Sequence, residues 1–229
     1  MEEPFYIGYH EKAPAPHRRA VRVGVGVLAG LLLLSVTLLV QAQRFDESRF
    51  EFGNVQTFEG RFRADPSPHL VTPSGEAHLL VGQGKHAASV AAEPGAYVRL
   101  SATRIIRGED VMLEVVPGSE SVTGATEPLA APRRGGSVSL EGEVVGSKCF
   151  LGVMNPAHGT VHRACASHCI LGGVPALLHT GDSWVLLTGL DRREMAGLAG
   201  RPVRIEGISW ELPYLSWVEV TGATLLGIE

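Results

Sequence analysis

The sequence predicts a mainly β protein: an N-terminal transmembrane helix, then two tandem small OB-like β-barrels, the second with a helical Cys/His insertion. Three observations carry this. Val23 to Val40 is an apolar run of 18 residues, broken only by small or hydroxyl residues, long enough to cross a bilayer. The rest of the chain alternates in short β-forming stretches between turn residues, in keeping with 28 Gly and 14 Pro among 229 residues. Segments of the first half also recur in the second.

Residues 1–19 read as a cytoplasmic tail, with Phe5, Tyr6 and Tyr9 near its start and Pro14 and Pro16 near its end. The apolar run extends from Ala20 to Ala42 with only Arg22 and Gln41 as strongly polar members. Lys12, Arg18, Arg19 and Arg22 precede it, whereas Arg44 and Arg49 follow among Asp46, Glu47 and Glu51. This asymmetry puts the N-terminus in the cytoplasm and the remainder in the periplasm or outside the cell. Val40-Gln41-Ala42 resembles a small-residue cleavage site, but the run exceeds a usual signal core and a long polar tail precedes it. An uncleaved, single-pass anchor in the inner membrane is therefore expected. Arg18-Arg19 fits a twin-arginine signal poorly.

Residues 43–116 are expected to form the first barrel. Its strand signals are Val55 to Phe62, His78 to Val81, Ala96 to Ile106 and Val111 to Val116. Residues 117–136 lack periodicity and read as a linker. The second barrel, residues 137–229, has signals at Ser137 to Lys148, Ala176 to His179, Ser183 to Thr188, Arg201 to Trp210 and Tyr214 to Leu226, with Gly181-Asp182 as a hairpin turn. Phe58-Glu59-Gly60-Arg61-Phe62 matches Leu140-Glu141-Gly142-Glu143-Val144 at an offset of 82 residues. Gly95 to Leu100 matches Gly200 to Ile205, and Val111 to Val115 matches Ser216 to Val220, both at an offset of 105. The second half thus carries about 23 extra residues, located between its first and later strands. Asp191 to Ala199 supplies the short connector that an OB-type barrel has between its third and fourth strands.

The extra residues hold all 3 cysteines of the chain. Cys149 ends a strand, and Cys165 and Cys169 sit in Thr160 to Leu171. Thr160 is placed to cap a helix there, and Gly172-Gly173 with Pro175 to end it. At helical spacing His158, His162, Cys165 and Cys169 fall on one stripe, with His168 to the side. Three chemistries fit. Cys149, His162, Cys165 and Cys169, with His158 and His168 as further donors, could hold zinc, copper or an iron–sulfur centre. Alternatively, Cys149 could form a structural disulfide with Cys165 or Cys169 in an oxidising compartment. As a third possibility, a thiolate activated by His162 or His168 could exchange disulfides.

The run His162-x-x-Cys165-Ala166-x-x-Cys169-Ile170-x-Gly172-Gly173-Val174-Pro175, preceded by Gly142-Glu143-Val144-Val145 and Lys148-Cys149-Phe150, resembles a motif of uncharacterised exported bacterial OB-like proteins. The resemblance covers residues 140–187. It implies that Cys149, His162, Cys165 and Cys169 form one functional unit, and it supplies no reaction.

Elsewhere the sequence favours structural roles. His69, His78 and His86 are expected at the surface, and Gly82-Gln83-Gly84-Lys85 in a hairpin turn. Trp184, Trp210, Trp217 and Tyr214 should pack the barrel, and Asp191-Arg192-Arg193-Glu194 should form a solvated helix turn. A net charge of −4 and a pI near 6.1 argue against a nucleic-acid partner. No Ser/His/Asp order, paired-carboxylate signature or dinucleotide fingerprint is present, so an enzyme is not the expected class. The expected function is a membrane-anchored extracytoplasmic protein that binds a metal or redox centre. Its expected partners are the membrane and an integral-membrane redox or metal-handling complex. The rival readings are an interaction module stapled by a disulfide and a thiol–disulfide oxidoreductase.

Overall fold

A computed structural model describes residues 14–42, 48–181 and 183–227. The aromatic residues of the tail and Asp182 of the expected hairpin turn lie outside them. Helix α1 spans Ala15–Ala42. Its 28 residues extend about 42 Å at 1.5 Å per residue, more than the ~30 Å hydrocarbon core of a bilayer. It is long and apolar enough to cross a membrane. The helix begins inside the stretch read as tail, because Pro16 suits the first turn, where its missing N–H would be unpaired anyway.

Residues 45–229 form a second unit built of two closed five-stranded barrels. The first comprises β1 (Ser48–Arg63), β2 (His69–Val71), β3 (Ala77–Val81), β4 (Tyr97–Arg107) and β5 (Asp110–Val115). The long β1 pairs with both β2 and β4, and its register shifts between Phe50 and Val55. Gly53, at φ 82°, lies in that shift and allows the extra residues of a bulge. β3 pairs with β5 in parallel, and β4 with β5 antiparallel. The resulting order, β1-β2-β3-β5-β4 closing on β1, is the OB arrangement.

The second barrel repeats it. β7 (Arg133–Gly146), β8 (Ala176–His179), β9 (Trp184–Thr188), β10 (Pro202–Leu212) and β11 (Leu215–Leu225) close in the corresponding order, and β9 pairs with β11 in parallel. The repeated sequence segments occupy matching strands: β1 with β7, β4 with β10 and β5 with β11. Between β9 and β10 lies helix α3 (Arg192–Leu198), closed by a capping box in which Asp191 accepts from the amides of Arg193 and Glu194. The expected solvated turn is thus the start of this helix.

Two corrections concern the first barrel. Part of the expected linker is strand: β6 (Ser121–Gly124) pairs with β4, and β7 already begins at Arg133. β6 is exposed along its whole length, so no hydrophobic alternation marks it. His69, expected at the surface, is fully buried. Its Nδ1 lies 2.8 Å from the Ser67 carbonyl, and its ring is 6.0 Å from that of Tyr214. Burial holds its pKa below the ordinary 6.5, with the Ser67 carbonyl opposing. A histidine buried neutral favours the folded state above its unfolded pKa, and that stability drains as pH falls. We expect acid sensitivity to begin near pH 6.5, with a slope of at most about 1.4 kcal/mol per pH unit. Denaturant unfolding at several pH values should show His69→Gln to have a flatter dependence.

The repeat extends to steric detail. A Cβ on Gly60 would run into the Val71 carbonyl oxygen, and one on Gly142 into the His179 carbonyl oxygen. Each glycine lets the first strand of its barrel curl against the second. Gly60→Ala and Gly142→Ala should therefore both destabilise, by about 1–3 kcal/mol each, as read from unfolding midpoints.

The barrels share a core. Leu79, Val81, Ile105 and Met112 of the first pack with Val145, Leu177, Leu186 and Trp217 of the second, and with Cys149, Phe150 and Leu151 of the segment joining β7 to β8. Trp184 Nε1 donates to Asp110 Oδ2 across the same seam at 2.7 Å.

Candidate metal centre

The Cys/His segment leaves the first strand of the second barrel, as the repeat offset predicts, and runs along the seam. Directly after β7 the chain makes one wide helical turn, Cys149–Val153. Phe150 anchors it: its carbonyl accepts from Arg107 Nε at 2.6 Å, and the guanidinium lies 4.2 Å above its ring. Gly152 lies so close to the first barrel that a Cβ would come within 2.7 Å of the Arg49 carbonyl oxygen. The turn thus holds Cys149 inside the shared core.

A tight turn over Thr160–His162 leads into helix α2 (Arg163–Leu171). Cys165 and Cys169, four residues apart, share the helix face toward the seam. At the end of β7, Gly146 admits this face: a Cβ there would sit 3.2 Å from Cys169 Cβ. Gly172 and Gly173 end the helix as expected, Gly173 at φ 93°. The Gly172 carbonyl accepts from the Ala87 amide at 3.0 Å, which docks the helix end on the turn after β3.

These elements bring three sulfurs together. Cys149 Sγ lies 3.4 Å from Cys165 Sγ and 3.7 Å from Cys169 Sγ, and all three lie within 4.8 Å of one another. They are free thiols; Cys149 and Cys169 are buried and Cys165 is half-buried. Two sulfurs bound to one tetrahedral metal at about 2.3 Å are about 3.8 Å apart, so the spacing is close to that of a coordination polyhedron. A disulfide would need about 2.05 Å.

The thiols differ in proton affinity. Cys169 is held down to about 7, first by the hydrogen bond from Cys149, against burial, and then by Lys85, Cys165 and Lys148. Cys149 is pushed far up by that same hydrogen bond and by burial. One thiolate therefore forms readily at Cys169 while Cys149 donates to it. A metal ion would have to displace the proton of Cys149.

The histidines fall elsewhere. His162 does not join the sulfur group. It ends a turn that winds at about 120° per residue rather than 100°, so the helical spacing assumed for the stripe does not hold there. It is buried, its Nδ1 lacks a protein partner, and burial lowers its pKa, with His158 adding to this and Glu143 opposing. His158 lies against His179, ring centroids 5.2 Å apart, and His179 lies 4.8 Å from Phe150. His168 is exposed. The expected Thr160 cap is also absent: the turn follows Gly159 at φ 82° and no side chain caps it.

Residues that sequence reasoning left out of the site are Lys148, Lys85 and Met154. Lys148 Nζ donates to the carbonyls of Gly82 at 2.8 Å and Gly84 at 2.6 Å and pairs with Glu114. The Gly82-Gln83-Gly84-Lys85 turn, correctly read as a turn, is thus fastened beside the cysteines. Met154 Sδ lies 3.6 Å from Cys165 Sγ. The signal available in the sequence was the position of Lys148 and Met154, one residue before and five after Cys149. The chain matches no protein family model, curated protein or solved structure.

Proposed function

We propose that this chain is a membrane-tethered metal-binding protein whose centre is the thiolate group Cys149, Cys165 and Cys169. The observation that carries this reading is the convergence of three free sulfurs at metal-ligand spacing in a seam between two barrels. Three thiolates suit soft or borderline ions, zinc or copper(I), over hard ones. Burial of Cys149 and Cys169 favours holding an ion over disulfide exchange, which needs a thiolate that a substrate can reach. The helix would anchor the barrels at the inner membrane, with the charge asymmetry around it placing them on the periplasmic side. Tethering would raise the centre's effective concentration beside an integral-membrane redox or metal-handling complex.

Metal analysis and thiol counting test this on the full chain, purified in detergent without chelator. The expected result is one metal ion per chain and three titratable thiols after denaturation. A disulfide with no metal would overturn the proposal in favour of a stapled interaction module.

A further inference from the structure

A fourth sulfur stands at the edge of this centre. Met154 Sδ, 3.6 Å from Cys165 Sγ, is at the separation expected of two sulfurs sharing one metal, about 3.8 Å. Its place is set by the backbone, because the Met154 amide donates to the Cys149 carbonyl at 3.2 Å. The wide turn that buries the first thiol therefore returns the thioether to its own starting point. Met154 is 40 % exposed and Cys165 half-buried, whereas Cys149 and Cys169 are buried.

A thioether is neutral, soft and weakly basic. It adds little for zinc but is a good donor for copper(I). We propose that Met154 is the fourth ligand of the centre, completing an all-sulfur set with Cys149, Cys165 and Cys169 that selects copper(I) over zinc. This rests on the reading of the three cysteines as metal donors. On binding, each thiol that coordinates gives its proton to solvent and forms a sulfur–metal bond. Met154 binds as the neutral thioether with no proton lost. Copper stays in its +1 state, and no electron moves.

The test uses the full chain in detergent under anaerobic conditions. Copper(I) affinity is measured by competition with bicinchoninate and zinc affinity with a chromophoric chelator, for wild type and Met154→Leu. X-ray absorption counts the sulfur neighbours of copper in the wild type. We expect four sulfurs, a loss of copper(I) affinity of about tenfold or more in the variant, given that outer partners alone are worth ~10–100-fold, and unchanged zinc affinity. Three sulfurs in the wild type, an unchanged copper(I) affinity, or equal losses for both metals would overturn the role of Met154 while leaving the three-thiolate centre standing. A wild-type chain that binds neither metal removes the centre itself. The sulfur count is made on wild type, so the test does not depend on how the variant folds.

Discussion

Cys169→Ser is expected to abolish the metal binding proposed for this centre. Serine occupies nearly the same volume, but its hydroxyl does not ionise near neutral pH and is a hard donor. The variant also removes a thiol whose pKa is held down to about 7, first by the hydrogen bond from Cys149 and then by the two lysines. Only two thiols remain, Cys149 and Cys165, 3.4 Å apart, with the neutral Met154 thioether 3.6 Å from Cys165, and this set lacks the charge of a third thiolate. An affinity loss of more than about 100-fold follows, since a direct ligand outweighs the outer partners worth ~10–100-fold. Competition titration of the purified full chain reads it directly. Stability gives a second readout. Metal at about 1,000 times its Kd stabilises a folded chain by about 4.1 kcal/mol, so wild type should gain Tm on metal addition, and the variant, with its Kd raised about 100-fold or more, should gain about 1.4 kcal/mol or less at the same concentration. Without metal the variant should lose about 1–3 kcal/mol, because the buried hydroxyl keeps only the weak S–H donor of Cys149 as a partner. Stoichiometric metal retained by Cys169→Ser would contradict the site.

Lys148→Met should be the most destabilising single change at the seam. The ammonium is 4 % exposed and its partner Glu114 12 %, and it also takes up the carbonyls of Gly82 and Gly84. Methionine preserves the volume but leaves a nearly buried carboxylate and two carbonyls without their donor. Breaking a buried pair from one side costs about 3–5 kcal/mol. Adding Glu114→Gln should recover part of that loss, because the stranded charge is gone. A denaturant-melting cycle over the two single variants and the double variant measures the coupling, and additive effects would show that the pair is not coupled. The same change removes one of the positive charges beside Cys169, so metal affinity should fall as well.

The histidine part of the expected site shows where sequence reasoning stops. The i, i+4 spacing of Cys165 and Cys169 is local, and a helix converts it to a shared face wherever the helix lies. His162 depended on the helix continuing one turn earlier. The chain tightens there instead, after Gly159 at φ 82°, so the spacing that set the imidazole on the stripe does not apply. Met154 was open to reading as a sulfur donor only once the turn from Cys149 was known to bring it back.

From the order of its residues alone, this chain determines an apolar helix long enough for a bilayer and two barrels of the same strand order. It also determines an insertion after the first strand of the second barrel. These features are periodic or repeated, so they follow from local propensity and from side chains alternating across a strand. The tertiary structure alone decided that Cys149 meets Cys165 and Cys169 within the insertion, where it lies along the seam. It also decided that Lys148 and the turn after β3 close that seam, and that His69 is buried while His162 stands apart. Those outcomes depend on how two separately closed barrels pack on one another, and a contact between residues 66 positions apart leaves no periodic trace in the sequence.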